Sequence, residues 1–563
     1  MHMLTKLWKI KPSDFAVEMT ISRSMELSPI LSRLLVNRGI VDPYDIKLFL
    51  NPRVEFLYDP FLLKGMKEAV VRIREALERN ERVMVYGDYD VDGVTASAIL
   101  TRLLRLMGIT VIPFIPHRMS DGYGLSHEIA ASAKAQNIDL LITVDCGITA
   151  WAEVETIKAQ GIDVIIIDHH EPAETMPKAT AVIDPKQPGC DYPFKGLAAV
   201  GLVAKMAQAL TGKIDEETLD LVAIGTVADM APLRSENRVF AKKGLSLIAN
   251  SRNPGLRALL DVSRVDLKKL TPYHIGFILG PRINAAGRMD TAHTSLDLFL
   301  CEDTKQAYEL ARILENHNAD RQRAQKSIIE EAIKLIESDV VKKEQKVIVL
   351  GKEGWHKGIV GIVASQIKER YGRPAVVIAI NDGVGTASAR SVDGFHMQEA
   401  LMNCSECLEN FGGHAGAAGL TIREERIDHF TRLINEAADK IFAHKVLTPM
   451  LEIDMVLSLA DVSLDLAHQL DDLQPFGEGN PVPVFCSNGL RVKSVPVVLG
   501  RNTLKFWVTD GTATFSAIGF GMGNLASELK FGQAIDLAYE IGIDDWNKAP
   551  IPQLKIKDIK FKD

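Results

Sequence analysis

Several things are scarce in this chain, and each scarcity excludes something. Six cysteines in 563 residues are too few and too scattered for a disulfide framework, which points to a reducing compartment. Positive charge is not in excess: a net charge of −8 argues against a uniformly basic nucleic-acid coat. Bound divalent ions and local Lys/Arg patches can still attract phosphate. No apolar run approaches the ~20 residues that a bilayer span requires. The opening Met1-His2-Met3-Leu4-Thr5-Lys6-Leu7-Trp8-Lys9 lacks the continuous apolar stretch of a signal peptide. A soluble, cytoplasmic protein with no membrane partner is expected. Repeats of solenoid period and low-complexity tracts are also missing. What remains is ordinary globular composition, 47% hydrophobic and 25% charged, in a length that suggests roughly three or four domains.

Against that background, four acidic or histidine clusters stand out, each where a short apolar run stops. Asp88-Tyr89-Asp90-Val91-Asp92-Gly93 follows Arg82-Val83-Met84-Val85-Tyr86-Gly87. Asp145 closes Leu140-Leu141-Ile142-Thr143-Val144, and Asp168-His169-His170 closes Val164-Ile165-Ile166-Ile167. Asp229 ends the apolar helical stretch Leu219 to Ala228. Carboxylates and imidazoles gathered in this way suit divalent ions such as Mn²⁺ and Mg²⁺. Phosphoester hydrolysis is the commonest task of a pair of such ions.

Residues 1–64 read as a helical and irregular leader. From 65 to 300 short, fully apolar strands (82–87, 110–115, 139–144, 163–167) alternate with amphipathic helices, which predicts a mostly parallel sheet covered on both faces. Ligands bind such sheets at the carboxyl ends of strands, and Asp88, Asp145 and the Asp168 cluster all lie there. Residues 301–340 hold one long helix, opened by a capping-box-like Asp303 and Gln306 and polar in its middle, which suits a bridge between domains. A second α/β segment, 341–447, ends in the Gly412–Gly419 stretch. Residues 448–563 carry short alternating strands, at 451–457, 482–485, 490–498, 503–509, 514–520 and 534–541, which suggest an OB-like β-barrel. The expected fold class is therefore α/β: two α/β domains joined by a long helix, followed by a barrel.

Every cluster also has a plainer reading. Asp92 can be the N-cap of the helix after the first strand, yet a D-x-D-x-D run concentrates negative charge that repels unless a cation sits there. Asp145 alone is a solvated strand end, and His169-His170 alone are surface histidines. Asp168 can orient a histidine ring instead of touching metal. Asp229 opposes the helix dipole, a mild hint of function. Gly412–Gly419 lacks the preceding strand of a dinucleotide motif, so its small residues are better explained by close backbone approach. Cys404-Ser405-Glu406-Cys407 has zinc-like spacing without a second ligand pair, which favours two free helical thiols. Arg282, Arg288, Arg321 and Arg323 form either a solvated face or, flanked by Gly280-Pro281 and Ala285-Ala286-Gly287, a shaped loop presenting guanidinium forks to phosphate. Phe476, Phe485, Phe506, Trp507 and Phe515 are barrel core by default. An exposed member beside Arg491, Lys493, Arg501 and Lys505 would make a single-strand stacking surface.

Together these motifs resemble the DHH phosphoesterase superfamily. The likeness rests on Tyr86–Gly93, Val144-Asp145-Cys146-Gly147, Asp168-His169-His170 and Gly225-Thr226-Val227-Ala228-Asp229-Met230. It continues through the DHH-associated domain at Gly354-Trp355-His356-Lys357-Gly358-Ile359-Val360-Gly361 and Gly412–Gly419. The runs Gly280–Arg288 and Gln474–Pro481 are closer to the superfamily's single-stranded-DNA exonucleases than to its smaller members. The resemblance implies two Mn²⁺ or Mg²⁺ ions held by Asp88, Asp90, Asp145, His169 and Asp229, with Asp145 bridging. It implies that His170 faces the scissile phosphate and that Asp92 and Asp168 stand behind the ligands. Related pyrophosphatases have a histidine four residues before the first motif aspartate. Here that position is Met84, so the first ion is expected to bind more weakly. Arg282, Arg288, Ser388, Arg390 and His414 are the implied substrate contacts.

The resulting expectation is a metal-dependent 5′-to-3′ exonuclease on single-stranded DNA. It would act as a monomer in repair and recombination, beside single-strand-binding protein and a repair helicase. Three alternatives stay open: a phosphodiesterase for oligonucleotides of a few units or cyclic dinucleotides, a haloacid-dehalogenase-type phosphatase with an aspartate nucleophile, and a non-catalytic replication scaffold.

Overall fold

The structure is a computed structural model that describes residues 6–117, 124–126, 128–442, 449–500, 502–544 and 550–562. Its first sheet contains five parallel strands. Their spatial order is Thr110–Phe114, Arg82–Gly87, Leu140–Val144, Asp163–Ile167 and Ala181–Ile183. Alternate side chains serve opposite cores. Val83, Val85, Ile142 and Ile165 pack beneath one helical layer, and Met84, Tyr86, Leu141 and Ile166 beneath the other. Burial on both faces explains why these strands read as unbroken apolar runs. The winding reverses between Arg82–Gly87 and Leu140–Val144, the crevice where such sheets take their ligands. The short edge strand Ala181–Ile183 is an addition to the expected set.

The helix Thr304–Glu337 runs for 34 residues, about 50 Å at 1.5 Å per residue. Asp303 accepts from the Gln306 N–H at 2.8 Å, half of a capping box. Ala307, Ala311 and Leu314 belong to the first core, whereas Ile328, Ala332 and Ile336 pack under the second sheet. The polar middle is therefore the crossing between two cores. The second sheet orders Leu408–Gly413, Ala417–Arg423, Val384–Arg390, Ala375–Asn381 and Ile348–Glu353, with only the last pair parallel. The Gly412–Gly419 stretch is thus a β-hairpin: small residues let the two strands meet, with His414 to Gly416 at the turn.

The barrel closes through Arg491↔Thr509 and Val492↔Val508, which join the first and last members of the ring. Its long final strand, Ile551–Phe561, lies beyond the strands expected from alternation, and the segment read as 490–498 is divided between Phe485–Val492 and Val497–Leu499. The leader is more than helical. Leu7–Ile10 pairs with Met450–Ile453, and Ile21, Leu31, Leu34, Leu35, Ile46 and Phe49 enter the same apolar core as the barrel's Phe485, Phe506 and Tyr539. Arg238 fastens this unit to the first domain. Its guanidinium lies 3.8 Å from the Phe49 ring centre and donates to the carbonyls of Phe49, Leu473 and Gln474. None of the described helices is long and apolar enough to cross a membrane.

Candidate metal centre and nucleic-acid cleft

Asp88 leaves the strand Arg82–Gly87 with its N–H on the Val144 carbonyl at 3.2 Å. The turn behind it needs glycine, because a Cβ on Gly93 would stand 2.5 Å from the Asp88 carbonyl oxygen. Asp90, and not Asp92, caps the following helix, accepting from the N–H groups of Asp92 and Gly93 at 2.9 and 3.1 Å. Asp92 is fully buried and caps a different helix, accepting from Ala199 and Val200 N–H at 2.7 and 2.8 Å. Asp145 adopts a left-handed backbone, φ 65°, a conformation uncommon outside glycine and often held at functional sites.

These groups converge. Asp88, Asp90 and Asp145 offer donor atoms within 4.8 Å of one another, as do Asp92, His169 and Asp229, and Asp145, His169 and His170. His169 Nε2 lies 3.1 Å from Asp145 Oδ1, 3.9 Å from Asp229 Oδ2 and 4.0 Å from Asp92 Oδ2. It is buried and makes no hydrogen bond. An all-carboxylate triad adjoining a carboxylate–imidazole triad is the donor chemistry of hard-to-borderline divalent ions, so the residues fit the implied pair. Asp92 Oδ2 comes near His169, but both Asp92 oxygens already accept backbone N–H groups from Ala199 and Val200, as expected of a group standing behind the ligands.

Electrostatics point the same way. Burial, and then the charges of neighbouring aspartates, push the Asp92 and Asp145 carboxyls well above the usual range. Burial and Asp90 push Asp229 up to about 7. Burial and the charge of His170 hold His169 down at about 4, so it offers a neutral nitrogen. Asp168 behaves differently. Burial disfavours its charge, but hydrogen bonds from His170 and the Ile148 N–H outweigh that and lower its pKa. Its Oδ1 sits 2.7 Å from His170 Nδ1. Burial alone would lower the His170 pKa; Asp168 reverses this and raises it. Met84, at the position of the pyrophosphatase histidine, is buried in the apolar layer and contributes nothing to the cluster.

The expected substrate contacts divide. Arg288, Ser388 and Arg390 line one cleft of about 520 Å³ with Lys357, Gly361 and Phe277. It lies between the first domain and the second sheet. Arg288 donates to the Gly358 carbonyl at 3.1 Å, and Arg390 to Ser388 Oγ at 2.9 Å. Gly361 keeps the cleft open, since a Cβ there would meet Ser388 Oγ at 3.1 Å and Arg390 Nη2 at 3.2 Å. Arg282 is not in this set. It lies on the helix Gly280–Met289 instead of a loop, is gripped by both carboxylate oxygens of Glu315, and donates to the Ile278 carbonyl at 2.8 Å. Arg321, likewise, is tied to Asn318 and Gln325 at 2.8 Å each. His414 sits at the exposed hairpin turn, apart from the cleft lining.

Beside Asp229 a second, apolar cavity of about 450 Å³ is lined by Met230, Tyr273, Phe277, Phe476 and Pro481, among others. Tyr273 and Phe277 stack at 4.9 Å and are 61% and 70% exposed. Sequence reading missed this pair, because aromatics four apart read as helix core; Phe277 stands on a five-residue π-turn, Ile275–Leu279. It also missed Lys357, although the Gly354–Gly361 motif contains it. On the barrel, Phe485 and Phe506 are core, Phe476 and Phe515 pack partly against it, and Trp507 is exposed. Lys505 shares the outer face of its strand, whereas Arg501 lies outside the described residues.

Two domain matches coincide with the halves of this site: the DHH family N-terminal domain over residues 82–226 and the DHHA1 domain over 344–440. Parallel sheet, shared acidic centre and facing domain thus define a DHH phosphoesterase. The RecJ OB domain matches residues 453–558. The chain is 38% identical to the single-stranded-DNA-specific exonuclease RecJ of Bacillus subtilis, across 98% of this chain and 70% of that one. To the Escherichia coli RecJ it is 34% identical over 96% and 98%. A crystal structure of Thermus thermophilus RecJ in complex with Mn²⁺ superposes with TM-score 0.84 at 30% identity, covering 99% of this chain and 80% of that one. The chain belongs to the RecJ family.

Proposed function

We propose that this protein is a metal-dependent exonuclease that hydrolyses single-stranded DNA from its 5′ end. The observation that carries the reading is the pair of donor triads meeting at Asp145, at the sheet's switch point and opposite a cleft bearing Arg288, Lys357 and Arg390. Asp88, Asp90 and Asp145 would hold one Mn²⁺ or Mg²⁺, and Asp145, His169 and Asp229 the other, with Asp92 behind them. When bound, such ions supply a nucleophile at neutral pH and neutralise charge on the phosphate.

The chain's own groups do the rest. Asp168 fixes His170 at Nδ1, which leaves Nε2 on the opposite side of the ring, and the raised pKa lets that atom hold a proton toward the phosphate or the leaving oxygen. Arg288, Lys357 and Arg390 supply cations for phosphates along the strand, with guanidinium forks matched to their oxygens. Tyr273 and Phe277 offer a stacking face beside Asp229, which suits unpaired bases, and Trp507 offers another on the barrel. Relatives named as single-stranded-DNA-specific exonucleases support the same substrate. The proposed setting is a cytoplasmic monomer acting beside single-strand-binding protein and a repair helicase.

A 5′-labelled single-stranded oligonucleotide with Mn²⁺ tests the reading. Immediate release of labelled mononucleotide, with no ladder, is expected, and blunt duplex should resist. A descending ladder would reverse the polarity, and equal digestion of duplex would sink the single-strand specificity.

A further inference from the structure

The Cys404-Ser405-Glu406-Cys407 run has the spacing of half a zinc site and no visible partner in sequence. The fold supplies one. Ser405–Cys407 is a short 3-10 turn leading into the edge strand Leu408–Gly413. The helix Ile427–Phe442 packs beside it and brings His429 alongside. Glu406, Cys407 and His429 offer an oxygen, a sulfur and a nitrogen within 4.8 Å of one another. His429 Nε2 is 3.7 Å from Glu406 Oε1. The Cys407 side chain is 1% exposed, free of any disulfide, and makes no hydrogen bond among those of the described residues.

From this geometry we infer a second metal site, distinct from the catalytic centre, in which Glu406, Cys407 and His429 bind one zinc-class cation. Zinc bonds of about 2.0–2.3 Å place tetrahedral ligands roughly 3.3–3.6 Å apart. The observed separations therefore close with small rotations of Glu406 and His429, whose side chains are 68% and 49% exposed. Donor softness separates the two centres. Thiolate with imidazole selects Zn²⁺, whereas the oxygen-rich cluster around Asp145 suits Mn²⁺ and Mg²⁺. Cys404, covered at the head of the turn, lies outside the triad, so three protein ligands leave a fourth position for water. The bound ion would brace the second sheet's edge strand against the helix Ile427–Phe442, and that strand leads directly to the Gly412–Gly416 turn.

Cobalt titration of the full-length, metal-stripped, reduced protein tests this, because a thiolate-to-Co²⁺ charge-transfer band reports sulfur ligation independently of nuclease activity. The band is expected to plateau at the intensity of a single thiolate–Co²⁺ bond in the native protein and in Asp145→Asn, whatever cobalt the acidic centre also takes up. It should vanish in Cys407→Ser, and zinc should displace the cobalt. His429→Ala alters an exposed side chain and so keeps the fold; it should weaken cobalt binding by at least about tenfold. Absence of the band in the reduced native protein, or its persistence in Cys407→Ser, would overturn the site. Unchanged affinity in His429→Ala would do the same.

Discussion

The acidic centre gathers at element ends of the first domain and the basic cleft lies between that domain and the second sheet, and the two are built by different logic. Each acidic ligand is placed by the end of an element: Asp88 and Asp145 by adjacent strands, His169 by a third, Asp229 by a helix. Its neighbours are other ligands, and their mutual repulsion calls for a cation. The cleft cations are placed by long side chains whose partners come from remote segments, as Arg288 does with the Gly358 carbonyl. What differs is tolerance. A strand-end carboxylate has one role that fits its burial, whereas an arginine is used equally well to hold phosphate or to hold the fold.

Four substitutions or conditions should widen or sharpen that contrast, and the largest effect belongs to Asp145. Asp145→Ala removes the donor shared by two triads, so kcat/KM should fall by on the order of 10³-fold or more, with melting temperature in the absence of metal unchanged or raised. A variant retaining a tenth of the activity would break the proposed bridging role.

Next comes pH. A carboxyl whose folded pKa lies above its unfolded value stabilises the fold at low pH, and that contribution disappears as pH rises through the folded value. For Asp229 the window runs from 3.8 to about 7, and Asp92 and Asp145 shift in the same direction. His169, held down at about 4, shifts the other way and opposes this below its usual 6.5, so the metal-free protein should lose thermal stability most clearly between about pH 6.5 and 7.5. Saturating Mn²⁺ should reverse the slope, because cations replace the protons and bind better once these have left. Melting curves at several pH values with and without Mn²⁺ settle it; a metal-free protein that gains stability toward pH 7.5 would refute the repulsion argument.

The arginines sharpen the comparison inside the cleft itself. Arg390→Ala should raise KM about ten- to a hundredfold, the worth of a charge-assisted hydrogen bond, and reduce the salt slope of binding by about 1. Arg282→Ala should leave KM near native and lower the melting temperature, since its guanidinium is committed to Glu315 and Ile278. If Arg282→Ala instead raised KM as much as Arg390→Ala, its expected role as a phosphate contact would be restored.

The same distinction explains what was legible in the chain. Fully buried strands print themselves as apolar runs, so four of the five strands in the first sheet, and the ligands at their ends, were readable. The helix Thr304–Glu337 was readable from its Asp303 cap and its spacing. Partnership at a distance was not. Nothing near Arg282 announces Glu315, nothing near Asp92 announces the Ala199 N–H it caps, and nothing in Cys404–Cys407 announces His429. The final barrel strand Ile551–Phe561 was missed because Gln553, Lys555, Lys557, Asp558 and Lys560 interrupt its apolar residues, which blunts the apolar signal.

The smallest expected effect compares neighbours on one barrel strand. Phe506 is 1% exposed and Trp507 41% exposed, because successive side chains point to opposite faces. Phe506→Ala should cost about 3–5 kcal/mol of stability, as an emptied core site does. Trp507→Ala should leave the melting temperature almost unmoved and weaken single-strand binding by about 1 kcal/mol, the low end for a base stacked on an aromatic, or roughly fivefold. The loss should appear only with oligonucleotides long enough to reach from the metal centre to the barrel, and Trp507→Phe should restore most of it. Equal weakening for short and long strands would move Trp507 out of the path of the DNA. A fall in melting temperature would return it to the core, leaving Tyr273 and Phe277 as the stacking surface that remains.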